Sequence, residues 1–368
     1  MDNKMIVQQG RIKYLDLIKA ISIVLVVFCH RVFLNNNGII DNVLMSLCWL
    51  AVPCFFMCTG AIYCNRSQNF NKWAKKILST YIVLIVWKVV YLIFFLRVNH
   101  LDINFYNKID LIKYIFFFGK ISKIDDGFMW FMYAYLSVLI CSPVFNSFFD
   151  SKKQSKKFLY VIICILVFFN FILNDINIII ELITKMLSKK SFNFDTIRTI
   201  YPFSNYGGML ACYLIGGLLY KHNLYQNIKV KKWVLVLFSI IGIILSTFAL
   251  LCIKYYYTKS FRWGGIYLPT KYSTSMVLVL SICFFMLCQG IDINDKVFKG
   301  ISVVGKNTMG IYYLHILVIV ILNRVIFKYL KLDDGVIYNL LKTLLAVIVS
   351  LIITLLIKKI PIVRKIVM

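Results

Sequence analysis

Long apolar runs follow one another along this chain, separated by short basic stretches and, in two places, by longer polar ones. A helix needs about 20 mostly apolar residues to cross the hydrocarbon core of a bilayer. Ten runs come near that length. They are Leu15 to Leu34, Val43 to Cys64, Ile77 to Leu96, Phe128 to Phe149, Phe158 to Asn174, Ser204 to Tyr220, Trp233 to Ile253, Tyr272 to Gln289, Thr308 to Val325 and Val336 to Ile357. They are continuously apolar rather than alternating, which predicts helices and not the strands of a barrel. The stretches 97–127 and 175–203 each hold a shorter apolar piece, Ile112 to Phe118 and Ile176 to Leu187. These pieces are too short to span, and predict interfacial or re-entrant helices. The expected fold is an all-α polytopic membrane protein of about ten transmembrane helices, one integral membrane domain over 1–368, without an internal repeat.

Orientation follows the basic residues. With the N-terminus inside, the inside segments are 1–14, 65–76, 150–157, 221–232, 290–307 and 358–368, and they carry 22 Lys and Arg. The outside segments are longer and hold most of the acids, among them Asp102, Asp110, Asp125, Asp126, Asp175, Glu181 and Asp195. Basic residues favour the cytoplasmic side, so both termini are expected there.

Composition agrees with this reading. The chain is 61% apolar and 15% charged, against roughly 45–50% and about 25% for soluble domains. Disorder and an ordinary cytosolic enzyme are excluded. The net charge is +27, but the bases sit in short clusters between apolar runs, with no module for nucleic acid. They are read as loops against an anionic membrane face. The 11 cysteines fall almost all within apolar runs, at no spacing that suggests zinc or a disulfide framework. No metal site is expected, and no cleavable signal peptide, because the first run carries Asp16 and Lys19 and continues as a span.

Polar groups inside a span are costly and face a bundle interior or a watered cavity. The first span holds Asp16, Lys19 and His30. Eleven steps separate Lys19 from His30, about 1100° at about 100° per residue, so the two return to nearly one face about 16 Å apart along the axis. Asp16 falls in the same wedge of about 60°. Lys19, near the inner surface, can hold an anion, and Asp16 can position its ammonium. His30, near the outer side, can take a proton from an attacking hydroxyl. A hydrogen-bonded bundle histidine and a snorkelling lysine account for the same residues.

The stretch from Arg11 through Asp16-Leu17 and Lys19 to His30 resembles the opening of the acyltransferase-3 family of integral membrane O-acyltransferases, whose signature is a basic residue, ten residues and a His. Val52-Pro53 through Thr59-Gly60 is similar to that family's second span. Trp73-Ala74-Lys75-Lys76 is similar to its basic third-span entrance, and Phe128-Met129-Trp130 to its aromatic block. Tyr201-Pro202-Phe203 through Gly216-Gly217 resembles its central span, and Asn307-Thr308 through His315 its late Tyr-Leu-His element. The chain departs from the pattern at Lys19, Lys75 and Lys76, where arginines are commoner, and at Thr59, where Ser is usual. A lysine keeps the charge for phosphate but loses the bidentate fork.

The resemblance implies transfer of an acyl group, usually acetyl, from cytosolic acyl-coenzyme A. The coenzyme is a donor substrate rather than a bound cofactor. The acceptor would be a sugar hydroxyl of a cell-envelope polysaccharide or glycolipid, at a bacterial plasma membrane. His30 would be the catalytic residue, and Lys19, Lys75 and Lys76 would face the donor's phosphates. Asp16, Arg31, Lys88, Trp130 and His315 are supporting candidates, with Arg31 a candidate for the oxyanion. Lys88 lies near the middle of the third span and needs an anionic or carbonyl partner. Trp130 suits an interfacial aromatic belt or a sugar-stacking face beside Asp125 and Asp126. His315 is an interhelical or a pocket histidine. Gly208, Cys212 and Gly216 form a small-residue stripe for close helix packing. The rival reading is a transporter or flippase for a lipid-linked glycan or a small solute.

Overall fold

The computed structural model describes residues 11–30, 39–64, 69–149, 153–188, 190, 192–203, 206–223, 225, 231–258, 272–328 and 336–367. Among them every regular element is a helix. In chain order these are α1 (Lys13–Cys29), α2 (Ile39–Cys48), α3 (Ala51–Tyr63), α4 (Phe70–Val98), α5 (Lys108–Phe116), α6 (Trp130–Asn146), α7 (Lys153–Val167) and α8 (Leu173–Met186). There follow α9 (Gly207–Lys221), α10 (Lys232–Thr258), α11 (Ser275–Gly290), α12 (Asp295–Lys306), α13 (Thr308–Leu322) and α14 (Val336–Lys359).

Each of the ten predicted runs contains helix among the described residues. Among the described residues, seven stretches are long and apolar enough to cross a membrane: Asn42–Tyr63, Phe70–Val98, Gly127–Phe149, Gln154–Met186, Lys232–Tyr255, Thr308–Phe327 and Val336–Lys359. The other three predicted spans correspond to α1, α9 and α11, of 17, 15 and 16 residues.

Two predicted boundaries change. Ile176 to Leu187 is not a separate outer piece. A π-helical turn, Phe168–Ile172, carries α7 into α8, giving one stretch of 33 residues. The second span is broken at Trp49-Leu50 into α2 and α3. Pro53, third in α3, lacks an N–H that the first helical turn would leave unbonded anyway, so the helix restarts there without loss. The other short piece, Ile112 to Phe118, forms the nine-residue α5.

The chain divides into two compact units. The first comprises 1–66, 142–308 and 332–343, and the second 67–141, 309–331 and 344–368. In the first unit, α3 packs on α9, α10 on α11, and α1 on α3 and α12. A Cβ on Gly60 would overlap the Tyr213 carbonyl, and one on Gly216 would overlap the Met57 backbone, so α3 and α9 cross in backbone contact. The predicted stripe therefore works at Gly216, and Cys212 is buried beside it. Gly208 meets only ordinary contacts.

The first unit has two chemically distinct ends. At one, Lys13 donates to Ile293 O (3.1 Å) and to Asp295 (2.6 Å), Gln289 reaches Tyr14 and Leu219 O, and Lys232 pairs with Asp292. At the other, Trp49 packs edge-on against Tyr272 at 5.2 Å, and Asn174 donates to Ser273 O at 2.9 Å.

The second unit has an aromatic interior. Trp87 stacks on Tyr313 at 5.0 Å and donates to Ile366 O, and the Tyr91 hydroxyl donates to Tyr313 O at 3.0 Å.

Candidate active site

The N-terminal end of α1 carries an ion cluster. The Arg11 fork donates twice to Asp16, at 2.8 and 2.7 Å, and Lys19 pairs with the same carboxylate at 2.8 Å. Asp16 sits in the first turn of α1, where a carboxylate is favoured by the helix dipole. Its side chain is only 3% exposed, so a cation must accompany it. Gly305 of α12 lies against its backbone, and a Cβ there would come within 2.8 Å of Asp16 O. Two cations share one carboxylate, which leaves the cluster with one surplus positive charge.

His30 closes the other end of α1. It follows Cys29, keeps right-handed helical backbone angles, and is half-buried. The shared face with Lys19 holds by helical count, but it is not continuously polar. Ile23 and Val26 fall in the same sector, and both are buried, as is Val27 beside them. The stripe is thus two polar stations joined by packed aliphatic turns. The end of α1 is seated by a cluster of Phe28, Met45 and Cys48, with Leu25, Cys29 and Leu44 packed against it. Arg31 lies outside the described residues.

The remaining predicted residues belong to the second unit. Lys88 and Asp126 form an ion pair at 2.6 Å with side chains 1% and 8% exposed. The Lys88 ammonium also reaches Gly119 O at 3.3 Å and lies over the Tyr114 ring at 4.1 Å and the Tyr133 ring at 5.5 Å. Lys88 therefore has both the anionic and the carbonyl partner its depth required. Beside it, burial raises the Asp125 carboxyl above the ordinary carboxylate value, and Asp126 adds to that shift.

His315 is fully buried. Its Nδ1 bonds to Tyr312 O one turn back, and its ring meets the Phe128 ring edge-on at 5.1 Å. Tyr312 in turn donates to Phe128 O at 2.8 Å. Trp130 opens α6 after a 3-10 turn at Gly127–Met129 and is half-buried. On α4, Lys75 is exposed and Lys76 half-buried; consecutive residues point about 100° apart, so the two do not share a face.

One family model, described as an acyltransferase domain, matches residues 12–359. The chain belongs to the acyltransferase-3 family. The match begins beside the first residue of α1 and ends at the last residue of α14, so the acyltransferase-3 domain and the helical assembly have the same bounds. It includes both polar ends of α1. No curated protein and no solved structure matches the chain. Two members of these clusters had no assigned role in the sequence reading. Arg11 completes the Asp16 cluster, and its signal was an arginine just before a helix with an acid in the first turn. Asp126 is the partner of Lys88 across 38 residues, and no local pattern announces such a pairing.

Proposed function

We propose that this acyltransferase-3 protein transfers an acyl group, acetyl in the first instance, from cytosolic acyl-coenzyme A to a sugar hydroxyl of a cell-envelope polysaccharide or glycolipid. In this reading the chain crosses a bacterial plasma membrane about ten times with both termini inside. The carrying observation is that the family match embraces the whole helical assembly, with a cationic cluster at one end of α1 and an imidazole at the other. Supporting the topology, the contacts of the first unit sort the predicted inside residues (Lys13, Lys232, Asp292, Asp295) to one end. Asn174 and Tyr272, at the predicted outer ends of their spans, fall at the other.

Lys19 would attract the donor's phosphates. Asp16 holds the Lys19 ammonium, and Arg11 offsets the charge of Asp16, so Lys19 keeps attraction to spare for an anion. His30 takes the proton of the acceptor hydroxyl as its oxygen attacks the acyl carbonyl carbon. A carbon–oxygen bond forms and the thioester carbon–sulfur bond breaks. Coenzyme A leaves as a thiolate and receives the proton from the imidazolium. Arg31 or a polar residue of a span is the candidate partner of the tetrahedral oxyanion.

The test is donor dependence. Purified protein in detergent, given labelled acetyl-coenzyme A and an envelope glycan fraction, is expected to move label onto glycan. Flux of glycan across sealed vesicles with no covalent change would make the protein a transporter instead.

A further inference from the structure

The first unit contains a second polar constellation, at the same end as His30 and remote from the ion cluster. Its base is the π-helical turn between α7 and α8, an irregularity that recurs at functional sites. From this turn Asn170 donates to the Tyr201 hydroxyl at 2.5 Å. One turn on, Asn174 donates to Asn170 O and Ser273 O and accepts from an Arg198 Nη2–H. Asp175 accepts from Ser275 N–H at 3.0 Å at the start of α11. Arg198 comes from a 3-10 segment, Asp195–Ile200, which lies against the first turn of α8 through Asn174 and Asn177. Tyr201 stacks flat on Phe169 at 4.7 Å.

Three properties mark this patch as a place for a hydroxylated ligand. First, its groups are planar donors and acceptors in one region: two carboxamides, a guanidinium and two carboxylates. Sugar hydroxyls, which donate and accept at once, are met by such groups, and flanking aromatic rings suit sugar C–H faces. Second, its bonding is incomplete. Arg198 Nε is buried and makes no hydrogen bond, only a 3.6 Å ion pair with Asp195. The Arg198 side chain is nevertheless 33% exposed, and Asn174 and Asp175 are half-buried, so a ligand can reach them. Third, its charge is wrong for a polyphosphate. One arginine stands against Asp175 and Asp195, leaving one net negative charge, whereas the Arg11–Asp16–Lys19 cluster is net positive.

The patch adjoins the His30 end of α1 through the start of α11. Ser273 and Ser275 touch Asn174 and Asp175. Tyr272 packs on Trp49 and lies in electrostatic range of Cys29, the residue before His30.

We propose that Asn174, Asp175 and Arg198 form the subsite that binds the acceptor sugar through its hydroxyls. This assignment rests on the acyl-transfer reading above. The experiment uses the full chain in detergent with acetyl-coenzyme A and the methyl glycosides of glucose, galactose, mannose and N-acetylglucosamine. Donor hydrolysis without any glycoside is followed in parallel. Wild type is expected to acetylate at least one glycoside. Arg198→Ala is expected to raise the glycoside KM by about tenfold or more, the loss of one charge-assisted hydrogen bond. Arg198→Lys and Asp175→Asn, which disturb the packing less, are expected to raise it by less. Coenzyme A affinity and donor hydrolysis should stay at wild-type levels in all three.

An unchanged glycoside KM in Arg198→Lys and Asp175→Asn would reduce the patch to a structural network and overturn the proposal. Donor hydrolysis with no transfer to any glycoside would overturn the sugar assignment alone. Absence of both donor binding and hydrolysis in wild type would overturn the acyl-transfer reading itself, and the subsite with it.

Discussion

Replacing Lys88 by Met gives the sharpest stability test in the second unit. The ammonium and the Asp126 carboxylate lie 2.6 Å apart, with 1% and 8% of their side chains exposed. At an effective dielectric of about 20, two unit charges at this distance attract by about 6 kcal/mol. Much of that attraction is offset by the cost of removing both ions from water, so the pair itself adds little net stability. The single substitution is a different matter. Lys88→Met leaves Asp126 buried without its cation and removes the contacts with Gly119 O and the Tyr114 ring. Such a loss costs about 3–5 kcal/mol. At about 2 °C per kcal/mol for a chain of this size, the melting temperature in detergent should fall by roughly 6–10 °C. The double variant Lys88→Met, Asp126→Leu removes both charges and should recover most of the loss. Tryptophan fluorescence during a thermal ramp is the assay. If Lys88→Met melted within about 1 °C of wild type, or the double variant were no better than the worse single one, the buried-pair reasoning would be refuted.

Three further outcomes are expected. Loss of solvent and the neighbouring Asp126 raise the Asp125 carboxyl, so the folded state prefers its protonated form. Wild type should therefore lose stability as pH rises from the ordinary carboxylate value through the raised one. Asp125→Asn should melt higher than wild type at about pH 8 and at the same temperature below about pH 4; equal melting at both would contradict the burial argument. Gly60→Ala should separate α3 from α9, costing about 3 kcal/mol or more and most of the yield of monodisperse protein. Gly300→Ala, on the open face of α12, should gain about 0.5–1 kcal/mol.

The sequence located the long apolar helices because apolar length is written locally, but it left Asp295–Lys306, the amphipathic α12, inside a loop. It did not show that Ile176 to Leu187 prolongs α7, because Asn174 and Asp175 read as the edge of a loop. In the folded chain Asn174 bonds to Ser273 O and Asp175 to Ser275 N–H, about a hundred residues away, so the helix carries them through. Helical count put Lys19 and His30 on one face, but could not tell that Ile23 and Val26 between them are buried. The Asp16–Lys19 pair was legible at its spacing of three, while Lys88–Asp126 depends on how the segment after α5 folds back over α4. Conversely, Trp49-Leu50 lies inside an apolar run that reads as one span, so the break between α2 and α3 was not foreseen.

The most direct measurement on the central claim concerns His30. His30→Ala, purified with melting temperature and coenzyme A affinity equal to wild type, should lose transfer of labelled acetyl to envelope glycan by about a hundredfold or more, the usual contribution of a positioned general base. Transfer at an undiminished rate by that folded, donor-binding variant would contradict the assignment of His30 as the base.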